Sequence, residues 1–506
     1  MFAQLETATS RINRSIQGQI RKHPGILLAF FAALSFLTFS FYSINRYLAL
    51  QSNFFDLGLE ANSMRRVING YESWSTLVLP STPGHINHIS PILGLVALAY
   101  AIVPDPRTLL VIQAGVLSAA VVPLYTLTLR ETRSHLVSLV LSGLYLLNPA
   151  LHGIVRYDFH PESFIPLAIF LIYYSYGRKK AGLFYLSTAL LLATIEYSAI
   201  LGSGTAISLL MTKRRFDRRI LTILASSLGL LVIILLSTVG AFQALNWPAN
   251  WLGIQFLGSS TAPQTGTDIF AKTTYFFVAA APFWFSTTRY VTRMIAGLPW
   301  LAIVFTTSRY AFVSYDFQYT AFVIPFVYLA AIPFLRYLIK ARKALLALVV
   351  MAVCVTVVYS SLSPLGPHGQ WPQPDPLTST VVMLGDSLPQ NATILTQSDL
   401  FPQLSDKPHV GLDYSSAKPP EYILVNTNSP WYNWTDPGLG YPISARLQVE
   451  QLTRNYSYRL LFVDQGLLLF KLDTILTGHL SPPQVATEMI ISMKPFIGFL
   501  ERLDGS

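Results

Sequence analysis

The sequence predicts an α-helical polytopic membrane protein that carries a small water-soluble α/β domain at its C-terminal end. Three observations lead there. Of 506 residues, 52% are hydrophobic and 12% charged, whereas a soluble globular protein carries about 25% charged residues. From Ile26 to Leu362 apolar runs recur, many near the length of about 20 residues that spans hydrocarbon. Beyond Ser363 the runs shorten and the polar content becomes ordinary.

The elements follow in order. Residues 1–25, with Arg11, Arg14, Arg21 and Lys22, have the character of a cytoplasmic flank, and the first apolar run lacks a small-residue cleavage site, so it reads as a retained helix. Apolar runs then fall at 26–47, 89–104, 108–129, 134–151, 163–177, 181–196, 197–211, 219–244, 270–286, 294–308, 318–336 and 344–362. The placement of basic residues decides how the 89–104 run is counted. If it dips into the bilayer and returns, 20 Lys and Arg fall in the cytoplasmic segments and 6 in the outer loops, namely Arg65, Arg66, Arg107, Arg156, Lys272 and Arg309. The positive-inside rule therefore favours about eleven spans plus a re-entrant or interfacial element. The expected layout is a transmembrane domain over 26–363 with a long first external loop at 48–88, and an external soluble domain over 364–506. The protein is expected in the cell membrane, with its N-terminus cytoplasmic.

The net charge of +10 sits in short loops between apolar runs. That pattern indicates membrane topology rather than a nucleic-acid partner. The lone cysteine, Cys354, lies in an apolar run, so neither a disulfide framework nor a thiolate metal site is expected. In the C-terminal region, strands are predicted at Thr393–Leu395, Tyr422–Val425 and Leu460–Val463. Gly466–Phe470 reads as a hairpin partner, and a helical pattern runs over Pro483–Leu500. No glycine-rich phosphate cradle occurs there.

Ionisable groups near hydrocarbon are costly and mark candidate sites. Asp56, in Phe55-Asp56-Leu57-Gly58, follows the first span; it reads either as a functional acid or as a helix-start acid favoured by the dipole. His85 and His88 lie three apart at the start of the 89–104 element and could share a helix face for metal binding, or simply meet headgroups. In Arg156-Tyr157-Asp158-Phe159-His160-Pro161-Glu162, an extended chain would point Asp158, His160 and Glu162 the same way, a ligand set for Mg²⁺ or Mn²⁺. The alternative is a helix start with Pro161 first. Glu196 lies between two short apolar runs, as a site residue or as a hydrogen-bond partner of a neighbouring helix. Arg309 could clamp a lipid phosphate or snorkel to headgroups, and Gln318 and Tyr319 flank the same loop.

Together, Phe55-Asp56-Leu57-Gly58, His88-Ile-Ser-Pro91 and Asp158-Phe-His-Pro-Glu162 resemble a family of bacterial and archaeal predicted membrane proteins known only as a domain of unknown function. Tyr319-Thr-Ala-Phe-Val-Ile-Pro325, the stretch Ile394–Ser405 and Glu421-Tyr-Ile-Leu-Val425 extend the resemblance over nearly the whole chain. That family is similar in layout to the GT-C glycosyltransferases, multi-span enzymes that take a sugar from a polyprenyl-phosphate carrier on the external face. The resemblance implies a GT-C-like fold with Asp56 as general base or metal ligand. It also implies a polyprenyl-phosphate sugar donor and an acceptor of unknown identity. His88, Arg156, Glu196, Arg309, Gln318 and Tyr319 are the expected substrate-binding residues. Two positions depart from the family pattern: Ala61-Asn62 stands where an Asp-Gln pair is usual, and Ile195-Glu196-Tyr197 where Lys-Glu-Asp is common. The competing expectation is a non-catalytic membrane subunit that docks its external domain on a partner. A transporter fits less well, because the spans carry almost no charge at mid-depth.

Overall fold

A computed structural model describes residues 23–78, 88–238, 266–281, 283–307, 310–339, 352, 363, 365–366, 369–414, 419–435 and 443–473. The chain divides into two compact units, one of residues 1–46 and 67–373, the other of residues 47–66 and 374–506.

The first unit is helical. Its opening helix, Pro24–Leu48, has 25 residues and no interior Pro, so it reaches about 37 Å, more than the hydrocarbon thickness of about 30 Å. Phe30, Leu34, Leu37 and Phe41 form an exposed apolar stripe, while Phe39 and Tyr42 are buried. An outward stripe of this kind suits lipid, which rewards apolar surface as well as a core does. Pro106–Thr132 is a second helical stretch of spanning length, 27 residues. It starts where the Asp105 side chain accepts from the Arg107 N–H and Pro106 fills the first turn; it stops where Arg133 turns left-handed, at φ 56°.

His135–Leu146 and Pro149–Arg156 meet at a bend of 44°. Pro149 lacks the N–H that would continue the first helix. Asn148 takes over the junction: its side-chain oxygen accepts from the Ala150 N–H at 2.8 Å, and its amide donates to Tyr328 Oη at 3.2 Å. Tyr328 in turn donates to the Leu144 carbonyl at 2.7 Å.

Among the described residues, two helices are long and apolar enough to cross a membrane, or three if this bent pair counts as one. Ala181–Leu192, Ile269–Ala280 and Ile324–Ile339 are shorter apolar helices. The 89–104 run folds as Ile92–Tyr100, nine residues, about 14 Å of helix. The 344–362 run lies almost wholly outside the described residues. Several apolar runs of the sequence are therefore shorter helices separated by Pro, Gly or Asn breaks.

The second unit is built on a five-stranded sheet in the order β2-β1-β3-β5-β4, with β1 Ile394–Leu395, β2 Val410–Gly411, β3 Tyr422–Asn426, β4 Tyr458–Asp464 and β5 Leu467–Leu472. β1 pairs parallel with β2 and with β3; β5 runs antiparallel to β3 and β4. Both faces are covered, and the two-residue period of a strand sorts the side chains. Ile394, Leu424, Leu467 and Leu469 join one apolar cluster with Val381 and Leu384 of helix Pro376–Ser387. Leu395, Ile423, Val425, Leu468 and Phe470 join the other, with Val449 and Leu452 of helix Ala445–Asn455. The β4–β5 turn places Gln465 and Gly466 at φ 45° and 88°, the two positive dihedrals of a tight hairpin whose twist matches its strands. The strands expected at 393–395, 422–425, 460–463 and 466–470 are present. The helix expected over Pro483–Leu500 lies outside the described residues.

The segment 47–66 is part of this second unit. Phe54 packs edge-on against Phe401 at 4.6 Å. A Cβ on Gly58 would come within 2.8 Å of the same ring. The Asn62 amide donates to the carbonyls of Ser405 and Lys407, each at 2.9 Å, and Arg66 donates to Pro408 O at 2.7 Å.

Candidate functional site

The first unit gathers titratable side chains from three distant stretches of chain. Glu196 sits in the break between helices Ala181–Leu192 and Ser198–Lys213 and is 3% exposed. Its carboxylate meets His88 Nδ1 at 2.7 Å and accepts the Ile89 N–H at 3.0 Å. One acid thus fixes both the imidazole and the backbone that leads into helix Ile92–Tyr100. Two candidates of the sequence, Glu196 and His88, are thus brought together.

Glu162 and His160 lie within electrostatic reach of this pair. The chain is extended at Tyr157 and His160, with ψ 153° and 140°. Pro161 then opens a single turn of 3₁₀-helix, Pro161–Phe164, that contains Glu162. The alternation expected across Asp158, His160 and Glu162 therefore ends at His160, because proline fixes a helical φ and starts the turn. His160 Nδ1 faces the Asp158 carbonyl at 2.9 Å. Among the described residues, no three His, Cys, Asp or Glu side chains gather as a metal-holding group.

Gln113 shapes this turn. Its amide donates to the carbonyls of Ile154 and Tyr157 at 3.0 and 3.2 Å, and its side-chain oxygen accepts the His160 N–H at 3.0 Å. Buried carbonyls left by a helix end need such partners. Sequence reasoning passed over Gln113; the available signal was a lone amide inside the otherwise apolar 108–129 run.

The connecting segments around the pair set its charges. Burial alone would push the His88 imidazole down. The Glu196 carboxylate against it, with Glu162 nearby, outweighs that and lifts it above the ordinary value. Burial pushes the Glu162 carboxyl up, and His160 and His88 pull only partly against it. A carboxylate placed against Nδ1 in this way orients the ring and selects its tautomer.

The other candidates are placed as follows. Arg156 pairs with Asp316 at 3.3 Å, across a close approach in which a Cβ on Gly153 would fall on the Tyr315 carbonyl oxygen. Gln318 is 4% exposed, and its side-chain oxygen is buried without a hydrogen-bond partner. Tyr319 stacks on Trp300 at 5.4 Å, and its carbonyl accepts from Tyr275 Oη at 3.2 Å. Asp158 is buried beside the turn. Asp56 belongs to the second unit, within the single π-helical turn Phe54–Gly58. Arg309 and His85 lie outside the described residues.

A family model described as "Predicted membrane protein (DUF2079)" matches residues 46–469. The chain belongs to this family of membrane proteins. The match runs from the end of the first helix to β5, so it takes in both units and every candidate residue named above. For this DUF2079 protein, a comparison with curated proteins gave no match. The family's function is unknown, and any activity has to be argued from the site.

Proposed function

We propose that the protein is a GT-C-like glycosyltransferase of the cell membrane, using a polyprenyl-phosphate-linked sugar as donor on the external face. The observation that carries this reading is the His88–Glu196 couple, with His160 and Glu162 in electrostatic reach. Titratable groups are expensive beside hydrocarbon, and their concentration at one place in a largely apolar unit is the pattern of a reaction site. The accompanying topology is about eleven spans with a re-entrant element at 89–104, a cytoplasmic N-terminus and an external C-terminal domain.

In this reading His88, oriented by Glu196, exchanges a proton with the substrate. Arg156 and Arg309 supply cationic contacts for phosphate, and Gln318 and Tyr319 complete the binding set. Asp56 acts as the general base on the acceptor, the role the resemblance implies. Base catalysis of this kind contributes about 10²–10⁴-fold. The reading assigns no step to a divalent cation. A Mg²⁺ or Mn²⁺ ion held by Asp158, His160 and Glu162 is a separate proposal, checked by whether EDTA removes activity and added metal restores it.

The test is sugar transfer in membranes carrying the full chain, with a panel of polyprenyl-phosphate sugars. Asp56→Asn and Glu196→Gln should each lower turnover at least about 10²-fold while folded protein persists. Full activity in Asp56→Asn would reject the base role. Absence of transfer from every donor would reject the enzyme.

One observation favours a second reading, a non-catalytic subunit. Asn62 and Arg66, in the first-loop segment, are spent on the carbonyls of Ser405, Lys407 and Pro408. Asn62 also occupies one of the two positions where the sequence departs from the family pattern. A stoichiometric partner that co-purifies equally with wild type and Asp56→Asn would support this reading.

A further inference from the structure

The helical unit carries a group of cations that the proposed transfer does not use, and three helix ends bring it together. Arg130 and Glu131 lie in the last turn of the stretch Pro106–Thr132. Lys213 closes helix Ser198–Lys213, and Arg293 lies in the short helix Val291–Met294. The charged groups in electrostatic reach of Lys213 are Arg293, Glu131 and Arg130. Among the described residues, three cations therefore share one carboxylate.

The carboxylate is already taken. Arg293 is 9% exposed, pairs with Glu131 at 3.1 Å and sets its guanidinium over the Tyr173 ring, 5.7 Å from the centre. Arg130 and Lys213 are exposed, and among the described residues neither has an ion-pair partner. The Arg130 guanidinium lies against Gly177, where a Cβ would fall on Nη1. The dipole of a helix favours a cation at its C-terminal end. It does not offset the repulsion of two further cations gathered around an acid that a third already neutralises. An added anion relieves that repulsion, and guanidinium and ammonium groups together suit phosphate.

The surroundings say what carries the phosphate. Met211 and Phe216, on either side of Lys213 in the chain, are 50% and 71% exposed, and Val291, two residues before Arg293, is 47% exposed. A free anion gains nothing from an apolar border, whereas a lipid lays its acyl chain there. The sequence expects these helix ends on the cytoplasmic side, whose leaflet carries the anionic headgroups.

We propose that Arg130 and Lys213 bind the headgroup phosphate of an anionic phospholipid, with Arg293 engaging Glu131 so that the acid does not compete for them. The proposal does not rest on sugar transfer. One lipid bound in this way ties the ends of separate helices to a single leaflet.

The test uses the full chain in a nonionic detergent. Native mass spectrometry is recorded with added phosphatidylglycerol, phosphatidylcholine or inorganic phosphate. Phosphatidylglycerol should be retained, phosphatidylcholine much less so, and inorganic phosphate should not displace the bound lipid. Lys213→Gln should weaken retention about tenfold, the loss of one charge-assisted contact. Gly177→Ala keeps every charge but puts a methyl group where Arg130 Nη1 lies, and should weaken retention in the same direction. If Gly177→Ala lowers the melting temperature of the lipid-free protein, Arg130→Gln takes its place. Arg218→Gln removes an exposed charge outside the group and should change retention about twofold or less. The proposal is overturned if phosphatidylcholine binds as well as phosphatidylglycerol, or if inorganic phosphate displaces the lipid, which would make this a site for the free anion. It is equally overturned if Lys213→Gln has no effect, or if Arg218→Gln weakens retention as much, which would leave only diffuse surface charge.

Discussion

The two units solve the same problem, burying polar backbone and side chains, in opposite surroundings. In the second unit the sheet is covered on both faces, and β1, β3 and β5 send successive side chains to the two sides: Ile394, Leu424 and Leu469 to one apolar cluster, Leu395, Ile423 and Phe470 to the other. In the first unit helices can be apolar all round, and the polar side chains are few and committed over long sequence distances. Asn148 bridges to Tyr328, Gln113 to the Tyr157–His160 turn, and Glu196 to His88. The difference teaches that stability in the sheet unit is spread over apolar contacts, whereas position in the helical unit depends on single polar residues.

The largest expected effect comes from breaking the sheet at its centre. Ile423 is fully buried on β3, the strand that links the parallel and antiparallel halves. Ile423→Asp places an unpaired charge there and should cost about 4 kcal/mol or more. Limited proteolysis should then cut within β1, β3 and β5 faster than in the wild type, and equal resistance of these strands would contradict the argument.

The corresponding cut in the helical unit is Asn148→Ala. It removes the cap on the Ala150 N–H and the partner of Tyr328 Oη together. The expected loss is about 2 kcal/mol, a cap plus one interhelical bond, read as a lower melting temperature in detergent.

The same contrast explains what was legible in the sequence. β3 and β5 are visible as short continuous apolar runs, because both of their faces are buried, and the hairpin is marked by Gly466. β2 is two residues long, too short to leave a period. Helix Ala445–Asn455 carried its signal in Ser444, whose side chain accepts the Leu447 N–H. In the helical unit the runs at 26–47 and 108–129 were readable as helices of spanning length because lipid selects for length. The run at 134–151 hid its bend in Asn148-Pro149. Candidate residues stood out singly as charges in an apolar sequence. Their pairing did not, because no local period connects His88 to Glu196 across more than a hundred residues. Asp56 was placed by its position after the first helix, and nothing local announced that residues 47–66 would fold with the C-terminal sheet.

A smaller effect separates the charged pair from its surroundings by pH. The raised His88 value means the protonated pair contributes stability below the ordinary imidazole range, roughly pH 6.5, and loses it as pH rises through the raised value. Glu162, also raised, acts with the same sign at lower pH: its contribution is present below the ordinary carboxylate range and lost as pH rises through its own value. His160 and Glu196 are the other titratable groups facing them. Melting temperature should therefore fall as pH increases from mildly acidic to alkaline. Glu196→Gln keeps the acceptor for the Ile89 N–H and should flatten the upper part of that slope. The change is about 1 kcal/mol or less, because His88 is one-third exposed and solvent screens it. An unchanged slope in Glu196→Gln would place the titration elsewhere.

The finest test returns to the sheet, where a single dihedral decides. Gln465 is held at φ 45°, a conformation that strains a long side chain less than a branched one but suits asparagine better. Its carbonyl already accepts from the Asn428 side-chain amide at 2.9 Å, a bond to the main chain that Gln465→Asn leaves in place. The substitution should stabilise the unit by about 0.5 kcal/mol, through a lower cost of the left-handed conformation. Gln465→Val should destabilise it by more, because a β-branched residue resists positive φ. Chemical denaturation followed at β4–β5 would show the two variants moving in opposite directions. If both shift the midpoint the same way, the hairpin is fixed by its strand pairing and not by its turn.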